Sequence, residues 1–201
     1  MLSRQSKFKL FFFGFISLLI WSCSEPHYSP KPKAYPKVEY PERNFQSFDE
    51  SSCPFTFSYP TYSEISFDSR EAAGRSGRSC WFDVLYKPFN ARLHCTYNDI
   101  NSPADFEKYL NDAFVIANRI NERSNFMEEL RVSNAKGVGG LVMEFTGPAA
   151  SPMQFFLTDS TDHFVKAALY FNAKTVPDSL APIAEFIKED IAQMINTFEW
   201  K

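Results

Sequence analysis

The sequence predicts an α+β body: a mostly antiparallel sheet with one long helix packed on each face. Three observations lead there. Alternating runs of aromatic and small residues, the period of a strand, recur from residue 53 onward. Two long stretches switch to helical spacing, one before and one after the second group of strands. The run 164–171 is apolar on both faces, Val165, Ala167, Leu169 and Phe171 on one and Phe164, Ala168 and Tyr170 on the other. A strand of that kind is covered from both sides, and two amphipathic helices are available to cover it.

Before the body come two segments of different character. Arg4, Lys7 and Lys9 precede an almost unbroken apolar run from Leu10 to Trp21. That run is short for a membrane span and carries the flanks of a secretion signal. It ends in Ile20-Trp21-Ser22-Cys23, which resembles the lipobox of bacterial lipoproteins: an aliphatic residue, then a small residue immediately before a cysteine. The expectation is a signal at 1–22 and a lipid on Cys23. Acyl chains held at about 0.8 kcal/mol per buried CH₂ make release from a bilayer negligible once two or more are attached. An ordinary signal peptide with an incidental cysteine is the alternative. Residues 23–50 then read as a tether, in which Pro26, Pro30, Pro32, Pro36 and Pro41 favour extended backbone. At ~3.1 Å per residue, 26–41 could span roughly 50 Å. Tyr28, Tyr35 and Tyr40 could instead lay this stretch against the body.

The body is expected at 51–201. A strand is predicted at 55–59, a short one at 63–68, a loop at 71–79, and a hairpin of 80–86 with 91–97 around Pro88-Phe89-Asn90. Ser102 followed by Pro103 and Asp105 is a helix start, with Phe106, Leu110, Ala113, Ala117 and Ile120 forming the apolar stripe to about residue 123. Strands return at 130–135 and 140–146, and a second hairpin joins 153–158 to 164–171. The last helix opens at Pro177-Asp178-Ser179 with a stripe of Ile183, Ile187, Ile191, Met194 and Phe198. Pro182 is placed in its first turn, where a missing N–H is tolerated.

Charge and cysteines bound the chemistry. The formal net charge is -3, and the three cations of the signal make the remainder more acidic still. A mildly acidic body without a basic stripe gives no electrostatic reason for a nucleic-acid partner. Beyond Cys23 stand Cys53, Cys80 and Cys95. Cys95 alternates with Leu93 and Tyr97 and points into the core, whereas Cys53 and Cys80 each precede a strand. A Cys53–Cys80 disulfide is favoured; three free thiols, or a bond involving Cys95, are the alternatives. No CxxC occurs and no histidine clusters with cysteine, so neither a metal nor another cofactor is expected.

Catalysis has one tempting locus, Asp159-Ser160-Thr161-Asp162-His163. It holds an acid, a hydroxyl and an imidazole, but residues this close on one hairpin rarely converge as a triad, and Asp and Ser are turn formers. A hydrolase using Ser160 and His163 is the least favoured reading, and no catalytic residue is assigned. His94 is read as a polar sheet position. Glu128-Glu129 and Glu189-Asp190 are read as solvated surface. Gly137-Val138-Gly139-Gly140 precedes a strand, which makes it a turn or bulge rather than a phosphate cradle.

The order of strands, helix, strands, helix resembles the Mog1/PsbP-like sandwich, a likeness that implies fold and not activity. A closer resemblance lies in the residues themselves. Pro32-Lys33-Ala34-Tyr35-Pro36, Cys53-Pro54-Phe55-Thr56-Phe57 and Cys80-Trp81-Phe82 carry its first part. Gln154, Thr158-Asp159-Ser160, His163-Phe164, Leu169-Tyr170-Phe171, Asp178-Ser179-Leu180, Pro182, Asp190-Ile191 and Thr197-Phe198-Glu199-Trp200-Lys201 carry the rest. Together they resemble the GldD family of gliding-motility lipoproteins of Bacteroidota; residues 67–79 depart from its pattern. The resemblance implies a non-enzymatic protein needed for gliding and for the associated type IX secretion machinery. Its implied partners are the membrane protein GldE and other gliding lipoproteins. Ser24 after the lipid position resembles outer-membrane sorting, and the single acid Glu25 falls short of a surface-export run, so a periplasm-facing body is expected. A small-ligand binding module is the competing function.

Overall fold

The structure is a computed structural model that describes residues 37–67, 80–173 and 177–201. All belong to one unit, Pro36–Lys201; a second unit, Met1–Tyr35, lies outside the described residues, as do Cys23 and the expected loop at 71–79.

Seven strands form one antiparallel sheet. In chain order they are β3 (Glu64–Phe67), β4 (Trp81–Tyr86), β5 (Ala91–Asp99), β6 (Phe126–Ser133), β7 (Gly139–Thr146), β8 (Met153–Thr158) and β9 (His163–Phe171). Their order across the sheet is β3-β4-β5-β9-β8-β7-β6. The longest contact, β5 against β9, pairs Ala91 with Phe171 through to Asp99 with His163. Two helices complete the body, α1 (Pro103–Asn121) and α2 (Pro177–Thr197). Three further strands, β1 (Phe45–Phe48), β2 (Phe55–Pro60) and β10 (Glu199–Trp200), make a small second sheet in the order β1-β2-β10.

Local chemistry accounts for most of these elements. Ser102 caps α1: its side chain accepts from the Asp105 N–H at 3.2 Å and donates back to the Asp105 carboxylate at 2.9 Å. The β4–β5 connection is a single 3-10 turn, Lys87–Phe89, closed by Asn90 in the left-handed region. Gly140 answers a different need. A Cβ there would sit 2.0 Å from the Phe156 carbonyl oxygen, so only glycine lets β7 approach β8 at that rung.

Each helix covers a different face of the seven-stranded sheet, as expected. Ala113, Ala117 and Ile120 of α1 are buried with Met143, Phe145, Phe156 and Phe164. Ile187, Ile191, Met194 and Ile195 of α2 belong to the other, larger cluster with Val84, Leu93, Phe155 and Leu169. The small sheet joins α2 on that side, and Phe48, Phe55, Phe57, Phe82 and Phe198 stack there with ring centroids 4.5–6.2 Å apart.

Three expectations need correction. The body does not begin at 51: β1 pairs with β2 from Phe45–Pro60 to Phe48–Phe57, and Phe48 is buried. Only one residue of β1 reaches the core, so alternation could not reveal it. The strand expected at 130–135 instead runs over Phe126–Ser133; it is exposed along most of its length, so no apolar period marks its start. Pro182 lies in the second turn of α2 rather than the first, since the helix begins at Pro177.

Candidate functional site

The described residues just before β1 contribute one side of a polar clamp. Arg43 reaches across to α2, where its Nε donates to Asp190 Oδ1 at 3.2 Å and its Nη2 to the Phe186 carbonyl at 2.9 Å. Its Nη1 pairs with Glu189, and the guanidinium lies 4.1 Å from the centre of the Phe186 ring. The Tyr62 hydroxyl donates to the second Asp190 oxygen. Tyr40 stacks on Phe186 at 4.6 Å and lies 6.0 Å from Phe89, so of the three tether tyrosines the one described is packed against the body.

Asp190 itself is buried, which overturns its reading as solvated surface; Glu189 beside it is exposed. The helical period explains the difference. Asp190 falls three residues after Ile187 and four before Met194, on the buried stripe, and Glu189 falls one residue off it. Burial pushes the Asp190 carboxyl above the ordinary carboxylate range, even though Tyr62 and Arg43 pull it down. The Tyr62 hydroxyl is raised in turn, first by burial and then by Asp190. A buried charge with both oxygens satisfied fixes geometry more than it adds net stability.

Cys53 and Cys80 are joined, with Cα atoms 5.3 Å apart, and both are buried. The bond ties the start of β2 to the start of β4, thereby linking the two sheets. The chain's last residue closes on the same place: Lys201 Nζ donates to the carbonyls of Glu50 at 2.8 Å and Cys53 at 3.1 Å, and pairs with Asp49 at 2.7 Å. Cys95 is a buried free thiol whose ionisation burial disfavours.

The residues weighed for catalysis are occupied otherwise. His163 Nδ1 pairs with the Tyr97 hydroxyl at 2.7 Å, that hydroxyl donates to Asp99 at 2.6 Å, and the imidazole stacks on Trp200 at 4.9 Å. Asp159 Oδ1 accepts from the amides of Thr161, Asp162 and His163. Burial opposes ionisation of Asp159, but those amides outweigh it and hold the carboxyl below its ordinary range. Ser160 is an exposed turn residue with φ 67°. The segment is a hairpin turn that orders its own backbone. His94 Nδ1 sits 2.6 Å from Asp83, on the sheet face opposite Cys95, the polar position expected. Glu128 and Glu129 are exposed. Among the described residues no group of three His, Cys, Asp or Glu side chains could hold a metal ion.

One cavity of about 380 Å³ opens between the β7–β8 turn and the first half of α2. Phe145, Pro148, Ala149 and Ala184 give it apolar walls. Lys188 stands at one end, bridged to Glu144 at 2.5 Å and Glu185 at 2.9 Å. Burial alone would lower the Lys188 pKa; the two carboxylates more than reverse that. No sequence signal marked this cavity, because its walls come from segments far apart in the chain that meet only in the fold.

Fold and site together define an α+β sandwich body whose N-terminal strap is clamped to its last helix. Residues 25–200 match the family model described as "Gliding motility lipoprotein GldD", and the chain belongs to that family. Among solved structures it is similar to the solution structure of cyanobacterial PsbP (CyanoP) from Synechocystis sp. PCC 6803. There the identity is 9%, the TM-score 0.44, and the match covers 86% of this chain and 100% of that one. No curated protein matches it. Among the described residues no helix is long and apolar enough to cross a membrane.

Proposed function

We propose that this protein is a membrane-tethered lipoprotein that serves gliding motility and the associated type IX secretion machinery as a scaffold or assembly factor, without catalysing a reaction. The family match over residues 25–200 is the observation that carries this reading. The lipobox-like Ile20-Trp21-Ser22-Cys23 supplies the anchor, a lipid on Cys23, and the body faces the periplasm, with the outer membrane favoured over the inner. GldE and other gliding lipoproteins are the proposed neighbours. The clamp at Arg43 is in keeping with the scaffold role, since it fastens the chain entering β1 to one fixed point on α2.

Replacement of the gene in its native host by Cys23→Ala tests the proposal. The expected result is a body released from the membrane fraction, with spreading and secretion strongly reduced, and mass spectrometry of the parent protein showing acyl groups on Cys23. Full motility with a soluble body, or a bare Cys23 thiol in the parent, would overturn it.

The cavity beside Lys188 favours a second reading, a binding module for a small, largely apolar ligand, since its volume lies at the lower end of the usual range for ligand sites. Ala184→Phe would fill it. Lost motility in that variant, with the fold and the membrane location intact, would move the function to the cavity.

A further inference from the structure

The seven-stranded sheet ends on one side at β6, an eight-residue strand with no neighbour beyond it among the described residues. Such an edge presents unpaired backbone groups, and short strands, prolines or bulges commonly blunt it. β6 has no proline, and its register with β7 runs without interruption from Phe126–Thr146 to Ser133–Gly139. It also carries exposed apolar side chains: Phe126 is 62% exposed and Leu130 42%.

The hydrogen bonds at its ends show which groups face the open edge. Asn134 N–H donates to the Val138 carbonyl, and Phe145 N–H donates to the Pro152 carbonyl. Continuing those patterns along both ladders, the even-numbered residues of β6 bond to β7. Met127, Glu129, Arg131 and Ser133 therefore turn their N–H and C=O groups outward.

We propose that β6 pairs with β6 of a second copy of this chain, antiparallel, about a two-fold axis through Leu130. The side chains choose both the occupant and the register. Centring the axis on Glu129 or Arg131 sets each of those charges against itself. Centring it on Leu130 places Glu129 opposite Arg131 twice, and Met127 opposite Ser133 twice, all with outward backbone groups that bond to one another. Leu130 then meets Leu130 in a non-hydrogen-bonded pair, the arrangement in which opposite side chains lie closest. Glu129 and Arg131 flank Leu130 symmetrically, so the strand is its own complement, as an isologous interface requires. The pairing consumes the β6 edge in both copies and doubles the sheet, with β3 left at each outer end.

The full mature chain in detergent micelles, followed by sedimentation equilibrium, is expected to show a dimer. Glu129→Arg alone and Arg131→Glu alone each place like charges opposite one another and weaken the dimer by about tenfold. The double variant Glu129→Arg with Arg131→Glu restores it. Under mild oxidation Leu130→Cys forms a disulfide between chains. Ser133→Cys does not, since three residues from the axis it lies roughly 20 Å from its own copy. A parent chain that sediments as a monomer up to its solubility limit, or a Leu130→Cys variant that cross-links no faster than Ser133→Cys, overturns the proposal.

Discussion

The two faces of the seven-stranded sheet are covered by the same kind of element and held in different ways. On the α2 side the helix shares its work with a second small sheet, a stack of phenylalanines, a disulfide and the Arg43 clamp. On the α1 side a single helix lies over a smaller cluster, and part of the sheet is left as a polar shelf where Arg92 and His94 face Asp83. One face is fastened by contacts between residues far apart in the chain, the other by one amphipathic stripe that was plain in the sequence. Stability is therefore expected to be concentrated on the α2 side.

The largest test is truncation of one ring on each face. Phe57→Ala removes a side chain that is 2% exposed and stacked on Phe48, Phe82 and Phe198. It should cost about 3–5 kcal/mol, read as a lower urea midpoint. Phe156→Ala on the α1 face, 7% exposed, should fall at or below the bottom of that range. Equal losses would erase the asymmetry. Next comes the disulfide. It closes a loop of 27 residues, so Cys53→Ala with Cys80→Ala should destabilise by about 3.5 kcal/mol on the chain-entropy account. Calorimetry of parent and variant checks this, and thiol titration of the parent should find Cys53 and Cys80 blocked.

Arg43→Ala follows, at about 2 kcal/mol, because it strips a buried carboxylate of a charged donor. Adding Asp190→Asn to it should recover part of the loss, whereas Asp190→Asn alone should not stabilise. Simple additivity of the two would mean that the clamp is not a unit. The smallest effect concerns pH. Asp159 is held below its ordinary value of 3.8, so its contribution is present above that pH and fades as the pH falls through and below it. Denaturation midpoints of the parent and Asp159→Asn should thus converge in acid and separate toward neutrality. A constant gap across that range would deny the turn amides their role.

The same contrast marks how far the sequence could be read. α1 announced itself through Ser102, Pro103 and Asp105, and the β8–β9 hairpin through its turn residues, since caps and tight turns are written within a few neighbouring positions. The covering of both sheet faces was legible in β9 alone. β1 and β10 were not, because each owes its existence to β2, and a strand that buries one side chain leaves no period. Arg43 and Asp190 stand 147 residues apart, and no local pattern pairs them. Even so, Asp190 could have been flagged: it interrupts the apolar stripe of α2, and a charge in such a stripe asks for a partner.

The clamp also sets a direction of force. A pull on the chain at Lys37 reaches the guanidinium at residue 43 before it reaches the first rung of β1, so the load passes sideways into the last helix. From there Thr197 accepts the Ser58 amide at 2.9 Å and Lys201 is bound beside the disulfide, so the strain spreads across the small sheet instead of unzipping one strand from its end. The body is thus reinforced at the corner where the chain enters it.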